Sequence, residues 1–124
     1  MRAAISQALP IITHDANSDF ITNVVYPRRH TIRPDALERN PQRLKLVAVR
    51  DKLVLRDSMR TVELYEAKGS QHSASILLVY LPAERMLIHA DLETPVLIEN
   101  VERRGLRVGT LVGLHEGPGP WPPR

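Results

Sequence analysis

The chain has 124 residues, 43% of them hydrophobic, and a net charge of +3, which suits one domain with a real core and excludes a disordered chain. It contains no cysteine, so disulfides, thiolate metal sites and a cysteine nucleophile are excluded. No apolar run approaches the ~20 residues of a membrane span, and Met1 to Leu9 holds one basic residue and no adequate apolar stretch for a signal peptide, so a cytoplasmic location is expected.

Met1 to Leu9 predicts a short Ala-rich helix with Ala4, Ile5, Ala8 and Leu9 on one face, stopped by Pro10. Ile11 to Thr13 predicts a short strand. Asn17 or Ser18 can cap a second helix, with Asp19 in its first turn, where the helix dipole favours an anion. Phe20 stacks on Val24 and Ile21 on Val25 at four-residue spacing, until Pro27 ends the helix. Thr31 to Gln42, with Pro34 and Pro41, reads as a loop holding one helical turn.

Strands follow at Leu44 to Val49, Lys52 to Leu55 and Thr61 to Tyr65, with turns at Asp51 and at Asp57-Ser58. Ile76 to Leu81 is continuously apolar, as expected of a strand covered on both faces. The polar turn Pro82 to Arg85 returns the chain into Met86 to Ala90, so these two runs should form a hairpin. Thr94 and Pro95 open a helix that carries Leu97 and Val101 inward and ends at Gly105. Thr110 to Leu114 is the last expected strand. Residues 1–116 read as a single domain. Gly117 to Arg124, with four prolines and two glycines, should be an irregular tail. Strands dominate and helices flank them, which predicts a mixed, mostly antiparallel sheet with helices on one face.

The basic groups Arg28, Arg29, His30, Arg33 and Arg103, Arg104, Arg107 lack the interleaved aromatics that stack on nucleic acid, so they read as solvated surface. The ends of the buried strands are more informative. His72 precedes the Ile76 run, Asp91 follows the Met86 run, and His115 terminates the Thr110 run. Imidazole and carboxylate together suit zinc, and strand ends hold ligands rigidly while leaving one side open.

Gly69-Ser70-Gln71-His72-Ser73, Ser75 to Pro82 and Met86 to Leu92, closed by Val112-Gly113-Leu114-His115-Glu116-Gly117-Pro118, resemble in order the second half of the metallo-β-lactamase superfamily. The resemblance implies an α/β (α+β-like) fold, half of an αββα sandwich of two facing sheets with helices outside. It also implies that His72 binds a first metal, Asp91 bridges two, and His115 binds the second. The family chemistry is hydrolysis by a metal-bound hydroxide. The family's His-x-His-x-Asp-His motif does not occur in this sequence, so the zinc site would be incomplete. Glu116 stands where glycine is expected after the last histidine. His89 lies two residues before Asp91 and shares its strand face, which makes it an additional candidate ligand. No catalytic residue is assigned.

Three functions are compatible with these residues. The chain is a half-domain without hydrolase activity of its own, serving as an assembly or binding module. Alternatively, it is a zinc-dependent hydrolase whose site is completed across a homodimer or partner interface, or, as the weakest reading, a nucleic-acid-binding module. A homodimer through the sheet face that helices leave uncovered is the expected partner, and no membrane is.

Overall fold

The protein is described by a computed structural model covering residues 1–30 and 32–123. Thr31 and Arg124, the first residue of the expected loop and the last of the tail, lie outside the described residues. The chain forms two compact units, Met1–Ala48 and Val49–Arg124.

In the first unit, helix α1 (Arg2–Ser6) ends earlier than its apolar spacing suggests. Ala8 adopts a left-handed φ of 59°, which turns Leu9 into solvent rather than onto the helix face. Strand β1 (Ile11–His14) pairs with β2 (Leu46–Val49). The turn after β1 is capped by His14, not by Asn17 or Ser18: its Nδ1 accepts the Ala16 N–H at 3.1 Å. A short α2 (Ser18–Phe20) then widens into a π-helical turn over Ile21–Val25, where the Tyr26 N–H reaches Ile21 O at 2.8 Å. The expected helical turn is α3 (Ala36–Arg39). Asp35 accepts the Glu38 N–H and Glu38 accepts the Asp35 N–H, a complete capping box. Ile5, Ile21 and Leu37 are its buried apolar residues.

The second unit holds a six-stranded sheet in sequential order: β3 (Lys52–Arg56), β4 (Thr61–Glu66), β5 (Leu77–Leu81), β6 (Met86–His89), β7 (Thr110–Gly113) and β8 (Gly117–Pro120). Every pair is antiparallel except β6 and β7, which are parallel because the helix α4 (Thr94–Arg104) crosses between them. The expected β5–β6 hairpin is present, with Tyr80 opposite Leu87.

Pro95 lies in the first turn of α4, and Gly105 ends it at φ 62°, where its N–H reaches Glu102 O at 3.0 Å. Leu97 and Val101 of α4 pack on Tyr65, Leu78, Tyr80, Leu87 and Leu111 of one sheet face to form the core. The opposite face carries the register row Leu53, Leu64, Val79, Ile88 and Val112. Val79, Ile88 and Val112 are only half-buried.

The beginning of the tail is not irregular. Gly117–Pro120 is the edge strand β8, with Leu111 opposite Gly119 and Val112 opposite Pro118. An edge strand needs donors from alternate residues only. Glycines supply those positions, and the prolines fall where no inward N–H is required. The Trp121 N–H continues the pattern to Gly109 O at 3.1 Å.

Candidate metal centre

Parallel pairing brings the carboxyl ends of β6 and β7 to the same end of the sheet, with His89 opposite Gly113. The chains stay together just beyond, where the Leu114 N–H donates to His89 O at 3.2 Å. Asp91 and His115 therefore emerge side by side, with His115 Nε2 3.1 Å from Asp91 Oδ1 and both side chains exposed. Asp91 adopts a left-handed φ of 54°, a conformation that aspartate enters more readily than most residues with a side chain.

His72 lies in the connection between β4 and β5. That connection is anchored to α4 by the fully buried Asn100. Its Oδ1 accepts the Lys68 N–H at 2.9 Å, and its Nδ2 donates to Lys68 O at 2.8 Å and Val96 O at 2.7 Å. From this loop His72 Nε2 reaches Glu93 Oε1 at 3.3 Å. Glu93 is the residue that starts α4, and its other oxygen, Oε2, is buried with no hydrogen-bond partner among the described residues. His72, Asp91 and Glu93 line one open pocket of about 400 Å³.

The structure thus places the three expected ligands in two adjoining histidine–carboxylate contacts, His72 with Glu93 and Asp91 with His115. They share a pocket through Asp91 but do not close into one tight set. Among the described residues, the group of three histidine and carboxylate donors within 4.8 Å of one another is His30, Asp35 and Glu38. The edge residues still fit a cation in kind: imidazoles and carboxylates at strand ends, with an orphaned acidic oxygen beside them. Glu93 was not singled out in the sequence. Its position as the residue before Thr94-Pro95 was the available signal.

His89 is buried, and its Nδ1 has no hydrogen-bond partner among the described residues. Burial pushes its pKa down, against the pull of the Glu116 and Asp91 charges. It faces Gly113 rather than joining the Asp91–His115 pair.

The His30 cluster is already neutralised. Arg2 Nε lies 2.5 Å from Asp35 Oδ2, and its second nitrogen reaches Oδ1 at 3.0 Å. Glu38 accepts the His30 N–H at 3.1 Å and holds His30 Nδ1 at 2.7 Å. Hydrogen bonding to Arg2 holds the Asp35 carboxyl well below its usual range, and the Asp35 N–H lowers that of Glu38. A guanidinium occupies the role a metal would take there, which makes this a charged helix cap.

No family model matches the sequence, and no curated protein matches it. Solved structures do resemble it in fold. A metallo-β-lactamase from Pontibacter korlensis superposes with a TM-score of 0.60 at 18% identity, over 98% of this chain and 55% of that one. An archaeal metallo-β-lactamase superfamily protein from Sulfolobus tokodaii gives 0.52 at 9%, over 91% and 54%. A double mutant of the sec-alkyl sulfatase PisA1 gives 0.52 at 15%, over 97% and 26%. The chain spans about half the length of the first two, and its mixed, antiparallel-rich sheet has the metallo-β-lactamase fold of those proteins.

Proposed function

We propose that this chain is a metallo-β-lactamase-like half-domain that serves as an assembly module, without hydrolase activity as a single chain, and pairs with a second copy of itself. The observation that carries this reading is the sheet face opposite α4. Its row Leu53, Leu64, Val79, Ile88 and Val112 is wholly apolar, yet Val79, Ile88 and Val112 stay half-buried. In an αββα sandwich such a face packs on a second sheet. A twofold pairing of two chains would supply one. Burying apolar surface at ~25 cal/mol per Å² favours the pairing, less the entropy of association.

Zinc is the metal this reading assigns to the edge, with His72, Asp91 and His115 as ligands and His89 as a further candidate. Bound there, zinc would supply a Lewis acid and an activated water. The chain's own contribution is positioning: Asn100 holds the His72 loop on α4, and the parallel strands hold Asp91 beside His115. A zinc hydrolase completed across the dimer is the second reading. The exposure of the Asp91–His115 pair favours it, because a partner can reach both groups.

Sedimentation velocity at micromolar concentration tests the assembly. A species of twice 14.0 kDa is expected, and a single 14.0 kDa species overturns it. Zinc-dependent turnover of a generic ester, lactam or phosphodiester by the monomer, abolished by Asp91→Ala, would overturn the inactive single chain.

A further inference from the structure

A pocket of about 520 Å³, within the volume range of small-molecule sites, lies at the far end of the sheet from Asp91 and His115. Arg85 precedes β6 and Arg107 precedes β7, so both stand at the amino ends of the parallel strands whose carboxyl ends carry Asp91 and His115. Arg104, the last residue of α4, lines the same pocket. Three guanidiniums thus reach one concavity from three segments of the chain.

The fold holds these arginines in place. Arg85 adopts a left-handed φ of 52°, and its carbonyl accepts the Gly109 and Thr110 N–H groups at 2.7 and 3.1 Å. Its side chain lies against the bare Gly109, where an added Cβ would stand 3.6 Å from Arg85 Cβ. Its Nε donates to Arg107 O at 3.2 Å, and the Tyr80 hydroxyl donates to the same carbonyl at 3.0 Å. The guanidinium of one arginine is therefore seated on the main chain of the other. Arg104 stacks over Tyr65, 5.3 Å from the ring centroid, and its Nη2 donates to Asp51 Oδ1 at 2.6 Å.

The charges around the pocket do not balance. Arg104 is paired with Asp51. Glu63, the one carboxylate lining the pocket, already accepts the Tyr65 hydroxyl and lies 3.4 Å from Lys52 Nζ. Among the described residues, Arg85 donates only to main-chain carbonyls and neither Arg85 nor Arg107 joins an ion pair. Glu84, beside Arg85, does not line the pocket. The carbonyl end of α4 offsets about half of one charge, and its Val101 and Glu102 oxygens are already bonded to the Leu106 and Gly105 N–H groups. A phosphate monoester, at about −1.5 to −2, matches the remainder. A carboxylate leaves part of it unmatched, and a cation is repelled.

We propose that this pocket binds a small phosphate monoester, its phosphate between Arg85 and Arg107 and its organic body against Pro82, Ala83 and Leu106. Guanidinium forks fit phosphate oxygens two at a time. A nucleic-acid strand fits less well, because it calls for exposed stacking rings, and Tyr65 and Tyr80 are both buried. The site is separate from the His72 pocket and does not depend on the assembly reading.

Phenyl phosphate is a suitable probe at about pH 7.5, where it is mostly a dianion. It is titrated into the chelator-treated, isotopically labelled full chain and followed by amide NMR shifts. Saturable shifts are expected at Arg85, Leu106, Arg107 and Gly109, and none at Asp91 or His115. Arg107→Gln should weaken binding by roughly tenfold or more, and benzoate should bind clearly more weakly than phenyl phosphate. Arg85→Gln should weaken binding as well. If that variant fails to fold, Arg107→Gln and the benzoate comparison still decide the matter, because the exposed Arg107 side chain makes no fold contact among the described hydrogen bonds and ion pairs. Absent or non-saturable shifts, shifts centred on Asp91 and His115, equal binding of benzoate, or binding unchanged by Arg107→Gln each overturn the proposal.

Discussion

The His30–Asp35–Glu38 cap and the His72–Asp91–Glu93–His115 edge are made of the same side-chain types, histidine and carboxylate. They differ in what neutralises them. In the cap, a guanidinium inserted from 33 residues away grips Asp35, and the backbone N–H groups of a helix start occupy the remaining acceptors. At the edge, each carboxylate meets one imidazole, and Glu93 keeps a buried oxygen unpaired among the described residues. Close convergence alone is therefore a poor guide to a metal site. The tighter cluster is the one whose charge is already balanced, and the looser one retains acceptor capacity.

The comparison can be broken at its supports. Asn100 makes two hydrogen bonds, with the Lys68 N–H and Lys68 O, that fix the loop carrying His72. Asn100→Ala should destabilise the second unit by ~1–3 kcal/mol, the cost of leaving buried backbone groups unpaired. Urea denaturation checks the loss, and amide exchange should show the 67–76 loop opening while the α3 cap stays protected. An unchanged loop would mean that His72 is positioned by other contacts.

Zinc titration separates the two clusters directly. Asp91→Ala should weaken zinc binding at least tenfold, equivalent to ~1.4 kcal/mol, whereas His30→Ala should leave it unchanged. Calorimetry of both variants provides the measurement. Loss of zinc binding in His30→Ala would transfer the metal to the cap and reverse the comparison.

The pH dependence sharpens it further. Asp35 and Glu38 titrate below their unfolded values, so their stabilisation is complete above ~pH 4 and is lost as pH falls through their folded values. Asp35→Asn should lower the urea midpoint at pH 7, and the gap from the parent protein should close as pH drops below ~4. A gap independent of pH would show that the charge is not what matters. The smallest effect is expected at the exposed Glu99–Arg103 pair, 2.9 Å apart at four-residue spacing on α4. Glu99→Ala should cost no more than ~0.5 kcal/mol by thermal melt.

Much of the second unit was legible in the sequence. Pro95 and Gly105 marked the ends of α4, the four residues Pro82 to Arg85 allowed only a tight return, and the continuous apolar runs gave β5 and β6. The crossing helix then made β6 and β7 parallel and put Asp91 beside His115. What escaped was non-local or lacked side-chain signal. The pairing of β1 with β2 joins segments more than 30 residues apart. A strand of glycine and proline has none of the branched or aromatic residues that announce one. His14 as a cap and the π-helical turn depend on local geometry that spacing does not encode. The Asp35-x-x-Glu38 box was readable, but Arg2 as its cation was not, because the contact spans most of the first unit.

Strand β8 closes one side of the sheet in a way that limits how copies can associate. Its glycine N–H groups point inward to β7, so the prolines at 118 and 120 occupy the positions whose donors would point outward. An incoming strand would find carbonyl acceptors there and no matching donors. Extension of the sheet strand by strand, the route to open-ended fibrils, is blocked along this border.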